Sequence, residues 1–410
     1  MRDQMKKKKD ILFLLQFFYP EYISSATLPF DTASRLAQEG YEVDVLCGYP
    51  REYTDETNVP CEENVNHIRI RRVKYLQSDR KKILGRMVND LSLTVAMFCR
   101  LLEMRKYKAI MVYTNPPILP LVAALASKLF GCRLFLVAYD LYPEIALKMN
   151  VLSEKSVVAK LMHWINRFVY RQASAVVVLS SEMKDYVIQN RNIHPDQVHV
   201  IPNWFQDEYA SGVMAEENPF RSVTEGRFVV GYFGNMGVAQ DMQPLKEAMR
   251  HYKDDPEICF LLSGHGSKHA DMKKMIRHEK ITNAYLYGFL KGQEYLDALQ
   301  ASHCAVISLE KGLTGLCVPS KTYGYMMQGL PLIAMMGESD IVGDIRKGAG
   351  YEILDNSAEE LIAVIAQLKN NVQDCCAKGN MSRQLYLDKY TPEVSLQKYL
   401  QLLQVYMPRM

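Results

Sequence analysis

The sequence predicts an α/β chain made of two doubly wound units in tandem. Two observations carry this reading. Apolar runs of strand length alternate with helical stretches in two successive series, and a loose polar segment over 206–225 separates them. A length of 410 residues agrees, because it exceeds what one core ordinarily fills. The expected division is a first unit over 1–205, a linker over 206–227, a second unit over 228–390, and a final segment over 391–410 that crosses back to the first unit. Ligands of such sheets bind outside the carboxyl ends of the strands, so the cleft between the units is the expected site.

The elements follow in order. The apolar run over 11–18 is too short to span a bilayer and lacks a small-residue cleavage site, so 11–15 reads as a buried strand. A helix over 28–38 follows, and Gly40 punctuates the join to a strand over 42–47. Further strands are expected over 67–73, 109–113, 133–138 and 175–180, giving a mostly parallel sheet. Between 83 and 104, Leu84, Met87, Val88, Leu91, Val95, Phe98, Cys99 and Leu102 recur with a helical period. Arg86, Asn89, Asp90 and Arg100 interrupt the run and argue against a membrane span. Burial of this helix in the core is the expectation, and a position on a bilayer surface is the alternative. In the second series, strands are expected over 228–233, 259–263, 284–287, 305–308 and 332–335, with a last helix near 392–406.

Composition excludes some function classes. Hydrophobic residues make up 48% and charged residues 23%, as in soluble globular proteins. The net charge is only +3, yet Lys6 to Lys9 and then Arg69, Arg71, Arg72, Lys74, Arg80, Lys81, Lys82 and Arg86 concentrate positive charge in the first half. Such clusters are either solvated flanks or attractors of anionic lipid. No nucleic-acid-binding motif accompanies them, so nucleic acid is not an expected partner. The nine cysteines lack paired spacing, and no zinc signature occurs, which fits reduced cysteine in the cytoplasm. His265 and His269 are four apart without a metalloprotease glutamate, and no Asp-x-Asp pair is present, so no metal is expected. Trp164 and Trp204 read as packing residues.

The stretch over 314–334, TGLCVPSKTYGYMMQGLPLIA, is the most informative. A loop enters Pro319-Ser320-Lys321, a short helix runs to about Met327, Gly329 stops it, and a strand begins at Leu332. Ser320 can cap the helix, and Lys321 adds a positive charge at its start. An anion site fits these residues, as does an ordinary loop–helix–strand connection. The strand over 228–233 ends in Gly234-Asn235-Met236-Gly237, which suits either a diphosphate-facing turn or a plain tight turn. The next two strands end in Gly264-His265-Gly266 and Gly288-Phe289, so one groove shared by three strand ends becomes plausible. Asp140 precedes Pro143 and Glu144, and serves either as a helix cap or as a sugar contact.

The order of these elements, ending in PSK-x-x-x-Y-x-x-x-G-x-P, resembles the GT-B glycosyltransferases, specifically family 4 members of the WbuB-like type. Further matches are Gln16-Phe17-Phe18-Tyr19-Pro20-Glu21, Tyr113-Thr114-Asn115-Pro116-Pro117, Tyr139-Asp140-Leu141-Tyr142-Pro143-Glu144 and Val200-Ile201-Pro202-Asn203. The resemblance covers essentially the whole chain. It implies two Rossmann-like domains facing a central cleft. It further implies transfer of a sugar, with retention, from a nucleotide diphosphate (uridine by family habit) to a polyprenyl-diphosphate-linked glycan in bacterial surface polysaccharide synthesis. Gly237 and Asn235 would face the donor diphosphate, with Gly264 and Gly266 in the same groove. Ser320 and Lys321 would hold the phosphates from the other side, and Gly288 and Phe289 would meet the base. Asp140 would address the donor sugar, making Asp140 and Lys321 the catalytic pair. The loop from Tyr22 through Ser24 and Ser25 to Thr27 would border the acceptor. No metal or other cofactor is implied, and a cytoplasmic enzyme touching anionic membrane peripherally is. Two departures stand out. Leu316 and Gly324 replace the acids of the Glu-x7-Glu pair common in family 4, and Asn235 and Gln240 stand where many relatives have Arg and Lys. A nucleotide-sugar 2-epimerase of the same fold, or a non-catalytic partner subunit, are the competing readings.

Overall fold

The computed structural model describes residues 8–51, 53–78, 83–210 and 216–408. Lys6, Lys7, Arg80, Lys81 and Lys82 of the basic clusters, and 211–215 of the expected linker, lie outside the described residues. Contacts divide the chain into two compact units, Met1–Pro202 with Leu396–Met410, and Asn203–Ser395.

In the first unit, β1 (Lys9–Leu15) leads through α1 (Ser24–Gln38) to β2 (Val43–Gly48). A hairpin of β3 (Glu62–Val65) and β4 (Ile68–Val73) follows, closed by Asn66 and His67, both at positive φ as a two-residue turn requires. The chain continues through α2 (Ile83–Phe98), β5 (Tyr107–Tyr113), α3 (Pro120–Phe130) and β6 (Arg133–Ala138). It ends with α4 (Glu144–Lys148), α5 (Val157–Gln172), β7 (Ala175–Val178), α6 (Ser181–Arg191) and β8 (Val198–Val200). The strand order is β3-β4-β2-β1-β5-β6-β7-β8, parallel except for the hairpin. Helices cover both faces, which is why β1, β5, β6 and β7 are almost wholly apolar. The chain crosses the sheet in one direction through α1 and in the other through α2, α3, α5 and α6; these four pack in sequence against one another, and the usual right-handed crossover places them on the face opposite α1.

Three expectations change here. Helix α1 begins at Ser24, four residues earlier than expected, and accommodates Pro29 one turn in, so Ser24 to Thr27 are helix rather than loop. The apolar stripe of α2 does not enter the core: Leu84, Met87, Val88, Leu91, Val95 and Phe98 are exposed, as are Cys99 and Leu102 beyond it. The inward face consists instead of Leu93 and Met97 with Asn89 and Thr94, whose polar groups are satisfied by Ser78 and by the Asp90 carbonyl. The basic cluster after residue 68 is largely neutralised. Arg69 pairs with Glu62 at 2.6 Å, Arg71 with Glu103, and the buried Arg72 with Glu63.

In the second unit, a short helix α7 (Arg221–Thr224) precedes β9 (Phe228–Asn235), α8 (Gln243–His251), β10 (Ile258–His265), α9 (His269–His278) and β11 (Ala284–Tyr287). Then come α10 (Gly292–Gln300), β12 (Cys304–Ser308), α11 (Lys321–Met327), β13 (Leu332–Met335), α12 (Asp340–Asp344) and β14 (Gly350–Ile353). The order β11-β10-β9-β12-β13-β14 is parallel throughout. A core of Val230, Tyr232, Leu262, Val306 and Ile333 with Leu361 and Ile365 of α13 (Ala358–Asn370) fills one face. After α14 (Val372–Lys389), α15 (Pro392–Tyr406) ends in the first unit, where the Tyr406 hydroxyl lies 3.2 Å from His199 Nε2. All nine cysteines are free.

Candidate active site

The expected donor-binding residues gather at the carboxyl ends of β9, β10 and β11. Gly234 pairs with Gly264, and Asn235 with His265, in the β9–β10 register. A Cβ on Gly264, whose φ is +153°, would stand 1.8 Å from the Gly234 carbonyl oxygen, so only glycine lets the strand ends run this close. The Met236 N–H donates to the His265 carbonyl at 2.6 Å and holds the turn down. Gly266 lies against Asn235 and Met236. The Gly264 N–H donates to the Gly288 carbonyl at 3.2 Å, and Phe289 sets its half-exposed ring 5.3 Å from His265. The Gly237 N–H, expected to face a diphosphate, donates instead to Gln240 Oε1 at 3.0 Å. Lys268, which the sequence reading passed over, donates to the Gln240 carbonyl and to Glu310 Oε1, both at 2.6 Å.

Lys321 points at the same strand ends. Its ammonium lies 3.7 Å from the centre of the Tyr232 ring and donates to the Asn235 carbonyl at 3.3 Å. Among the described residues no carboxylate pairs with it. Burial therefore holds the ammonium well below the usual lysine range. The same charge, after burial and His269, lowers His265. Ser320 does not cap α11: its backbone is already helical and its exposed side chain makes no cap bond. Thr322 does the local work, sending its hydroxyl to the Pro319 carbonyl at 2.7 Å. Helix α11 is seven residues long, and a tyrosine seats it. The Tyr325 hydroxyl accepts from the Phe233 N–H at 2.7 Å and donates to the Phe233 carbonyl at 3.0 Å. Gly324 faces Tyr295, whose hydroxyl would lie 2.5 Å from a Cβ there. A side chain at 324 would have to displace a residue of α10 that no sequence pattern marks.

In the first unit the motifs around Thr114 and Asp140 meet. The Thr114 hydroxyl accepts from the N–H groups of Tyr139 at 3.1 Å and Asp140 at 3.4 Å. Asp140 makes no capping bond to α4, and its half-buried carboxyl lines a small pocket with Thr114, Tyr142, Asn166 and Tyr170. Burial pushes it up to about 6. Glu144 is no second acid for this pocket. It is buried against Arg191 at 2.5 Å. Tyr22 is half-buried, donates its N–H to the Tyr53 carbonyl at 2.9 Å and sets its ring edge-on to Tyr53. Ser24 is exposed and Ser25 half-buried in the uncapped first turn of α1. Trp204 is buried as expected, whereas Trp164 is 61% exposed and stacks on Phe168. Among the described residues, no group of three or more His, Cys, Asp or Glu side chains is arranged to hold a metal ion.

Residues 30–204 match the model of the glycosyl transferase 4-like domain. The chain carries a glycosyltransferase family 4-like domain. It is 25% identical over 331 residues to the probable glycosyltransferase WbjE of Pseudomonas aeruginosa, covering 80% of this chain and 82% of that one. It is 23% identical over 297 residues to the putative colanic acid biosynthesis glycosyl transferase WcaI of Escherichia coli K12, covering 69% and 72%. HepE of Anabaena, solved in complex with UDP and glucose, superposes with a TM-score of 0.71 at 16% identity over 97% of this chain and 99% of that one. The fold of this glycosyltransferase is GT-B, with two Rossmann-like units, as the resemblance implied. No described helix of the glycosyltransferase is long and apolar enough to cross a membrane.

Proposed function

We propose that this glycosyltransferase transfers a sugar from a UDP-sugar, with retention, to a lipid-linked glycan during bacterial surface polysaccharide synthesis, working at the membrane surface. The observation that carries the reading is the half-buried Lys321 ammonium, set beside Gly234 and Asn235 with no carboxylate partner among the described residues. A diphosphate supplies the missing negative charge, and Lys321 then stabilises the charge that grows on it as the bond to the sugar breaks. The acceptor hydroxyl forms the new bond at the anomeric carbon, and the departing phosphate oxygen takes its proton. No protein base is required for that step, and no metal where Lys321 and backbone N–H groups neutralise the diphosphate. Asp140, a carboxyl with no hydrogen-bond partner among the described residues, is assigned to the substrate sugar. Tyr22, Ser24 and Ser25 are assigned to the acceptor. Asn235, Gly264, Gly266, Gly288 and Phe289 are assigned to the donor, with Ser320 at the phosphates and Gly237 joining only if the Gln240 carboxamide moves aside. The UDP complex of HepE supports the choice of nucleotide, and the name of WcaI supports the pathway class.

Gly324 favours a second reading, a non-catalytic partner subunit, because the Tyr295 hydroxyl occupies the space of a side chain there. A panel of UDP-sugars, read by thermal shift and by UDP release, separates the two. A shift with one sugar that disappears in Lys321→Ala supports the enzyme. Folded protein that shifts with none supports the partner.

A further inference from the structure

The helix layer α2, α3 and α5 of the first unit presents apolar side chains to water. On α2, Leu84, Met87, Leu91, Val95 and Phe98 form one exposed stripe. On α5, Val157, Leu161 and Trp164 are 80%, 53% and 61% exposed, at the spacing of one helix face. Helix α3 packs against both neighbours, and Lys128 near its end sits 5.6 Å from the Phe168 ring centre of α5. These stripes therefore belong to one side of one unit. Isolated exposed apolar residues are ordinary, but two periodic stripes on one helix layer are not.

Charge accompanies them. His163, Arg167 and Arg171 repeat every four residues along α5 and line a cavity of about 430 Å³ with Asn190, Arg191 and Asn192 of the α6 end. Arg191 is committed to Glu144, but Arg167 and Arg171 are exposed and have no carboxylate partner among the described residues. Arg69, Arg71 and Arg72 are paired with glutamates, whereas Arg167 and Arg171 keep an uncompensated charge among the described residues.

We propose that this layer docks on an anionic phospholipid bilayer, with the α2 and α5 stripes entering the acyl boundary and Arg167 and Arg171 holding lipid phosphates. An apolar face with flanking guanidinium groups is complementary to that surface, whereas a second copy of the chain would bring the same positive charges together. The inference deepens the lipid-linked acceptor reading and rests on it for its purpose, but it is tested without donor or acceptor.

The chain supplies its own probe. It has two tryptophans, and Trp204 is buried, so a change in emission on adding lipid reports Trp164. The full-length protein is titrated with phosphatidylglycerol–phosphatidylcholine vesicles and with phosphatidylcholine vesicles. A blue shift and sedimentation with the anionic vesicles are expected, weakened roughly 30-fold in Arg167→Gln/Arg171→Gln. Leu161→Glu should weaken them as well. These side chains are exposed, so melting temperatures should match wild type. Absence of a blue shift, or equal binding by the arginine variant, overturns the proposal. So does a concentration-dependent dimer that Leu161→Glu abolishes while vesicle binding is unchanged. Vesicle binding without any UDP-sugar thermal shift leaves the docking face standing and defeats the donor reading.

Discussion

Asp140→Asn should stabilise the protein at neutral pH while impairing transfer. The Asp140 carboxyl is half-buried with no hydrogen-bond partner among the described residues, and burial raises it from an ordinary 3.8 to about 6. The folded state therefore binds more protons than the unfolded state between these values, and stability falls as pH rises through them. The full cost is reached above pH 6 and absent below about pH 4. A rise of that size corresponds to about 3 kcal/mol, an upper figure because water reaches the group. In a unit of this size, each kcal/mol moves the melting temperature by about 2–4 °C. Asp140→Asn should thus melt up to about 10 °C higher at pH 7.5, with the difference vanishing toward pH 4, and sugar transfer should drop tenfold or more. Melting curves for both proteins across pH 4 to 8 test this. An equal melting temperature at pH 7.5, or a difference independent of pH, would refute the argument that an unpaired carboxyl is held there at a cost.

UDP binding should raise the depressed Lys321 ammonium, so affinity falls as pH rises and binding takes up protons; calorimetry in two buffers of different ionisation enthalpy measures the uptake, which should be absent in Lys321→Arg. Glu144→Gln leaves the Arg191 guanidinium buried without its counter-charge and should cost roughly 3–5 kcal/mol in denaturant titration, with no change in UDP affinity. Gly324→Ala meets the Tyr295 hydroxyl at 2.5 Å and should cost about 1–2 kcal/mol despite alanine's better helix propensity. Adding Tyr295→Phe should restore that loss, and independent effects in a double-mutant cycle would contradict the contact.

Much of the framework was legible because parallel strands buried on both faces are written as continuous apolar runs between glycines and prolines. The expected limits of β6, β11, β13 and α15 agree with the structure. Strand β3, Glu-Glu-Asn-Val, was not legible: it is an edge strand held by backbone pairing, with no apolar alternation to mark it. The period of α2 was correct while its orientation was not, since periodicity identifies a stripe without saying which way it faces. Glycines at strand ends stood out locally, so the gathering of the ends of β9, β10 and β11 was legible. What escaped was pairing across long separations. Glu144 meets Arg191 47 residues away, and Gly324 owes its empty Cβ position to Tyr295 on a different helix.

The Tyr325 hydroxyl gives α11 a second property. Strands β9 and β12 pair only at Val230 and Gly231, so beyond them β9 has an open edge in the middle of its sheet. Tyr325 closes that edge at Phe233 by substituting a side-chain oxygen for a neighbouring strand. The helix that carries Lys321 is thereby rooted in the central strand of its sheet, and tension on the ammonium is borne by backbone. The Phe233 amide should exchange with deuterium slowly although its N–H bonds to a side chain and not to a strand carbonyl, and its exchange rate becomes a gauge of how firmly the ammonium is anchored.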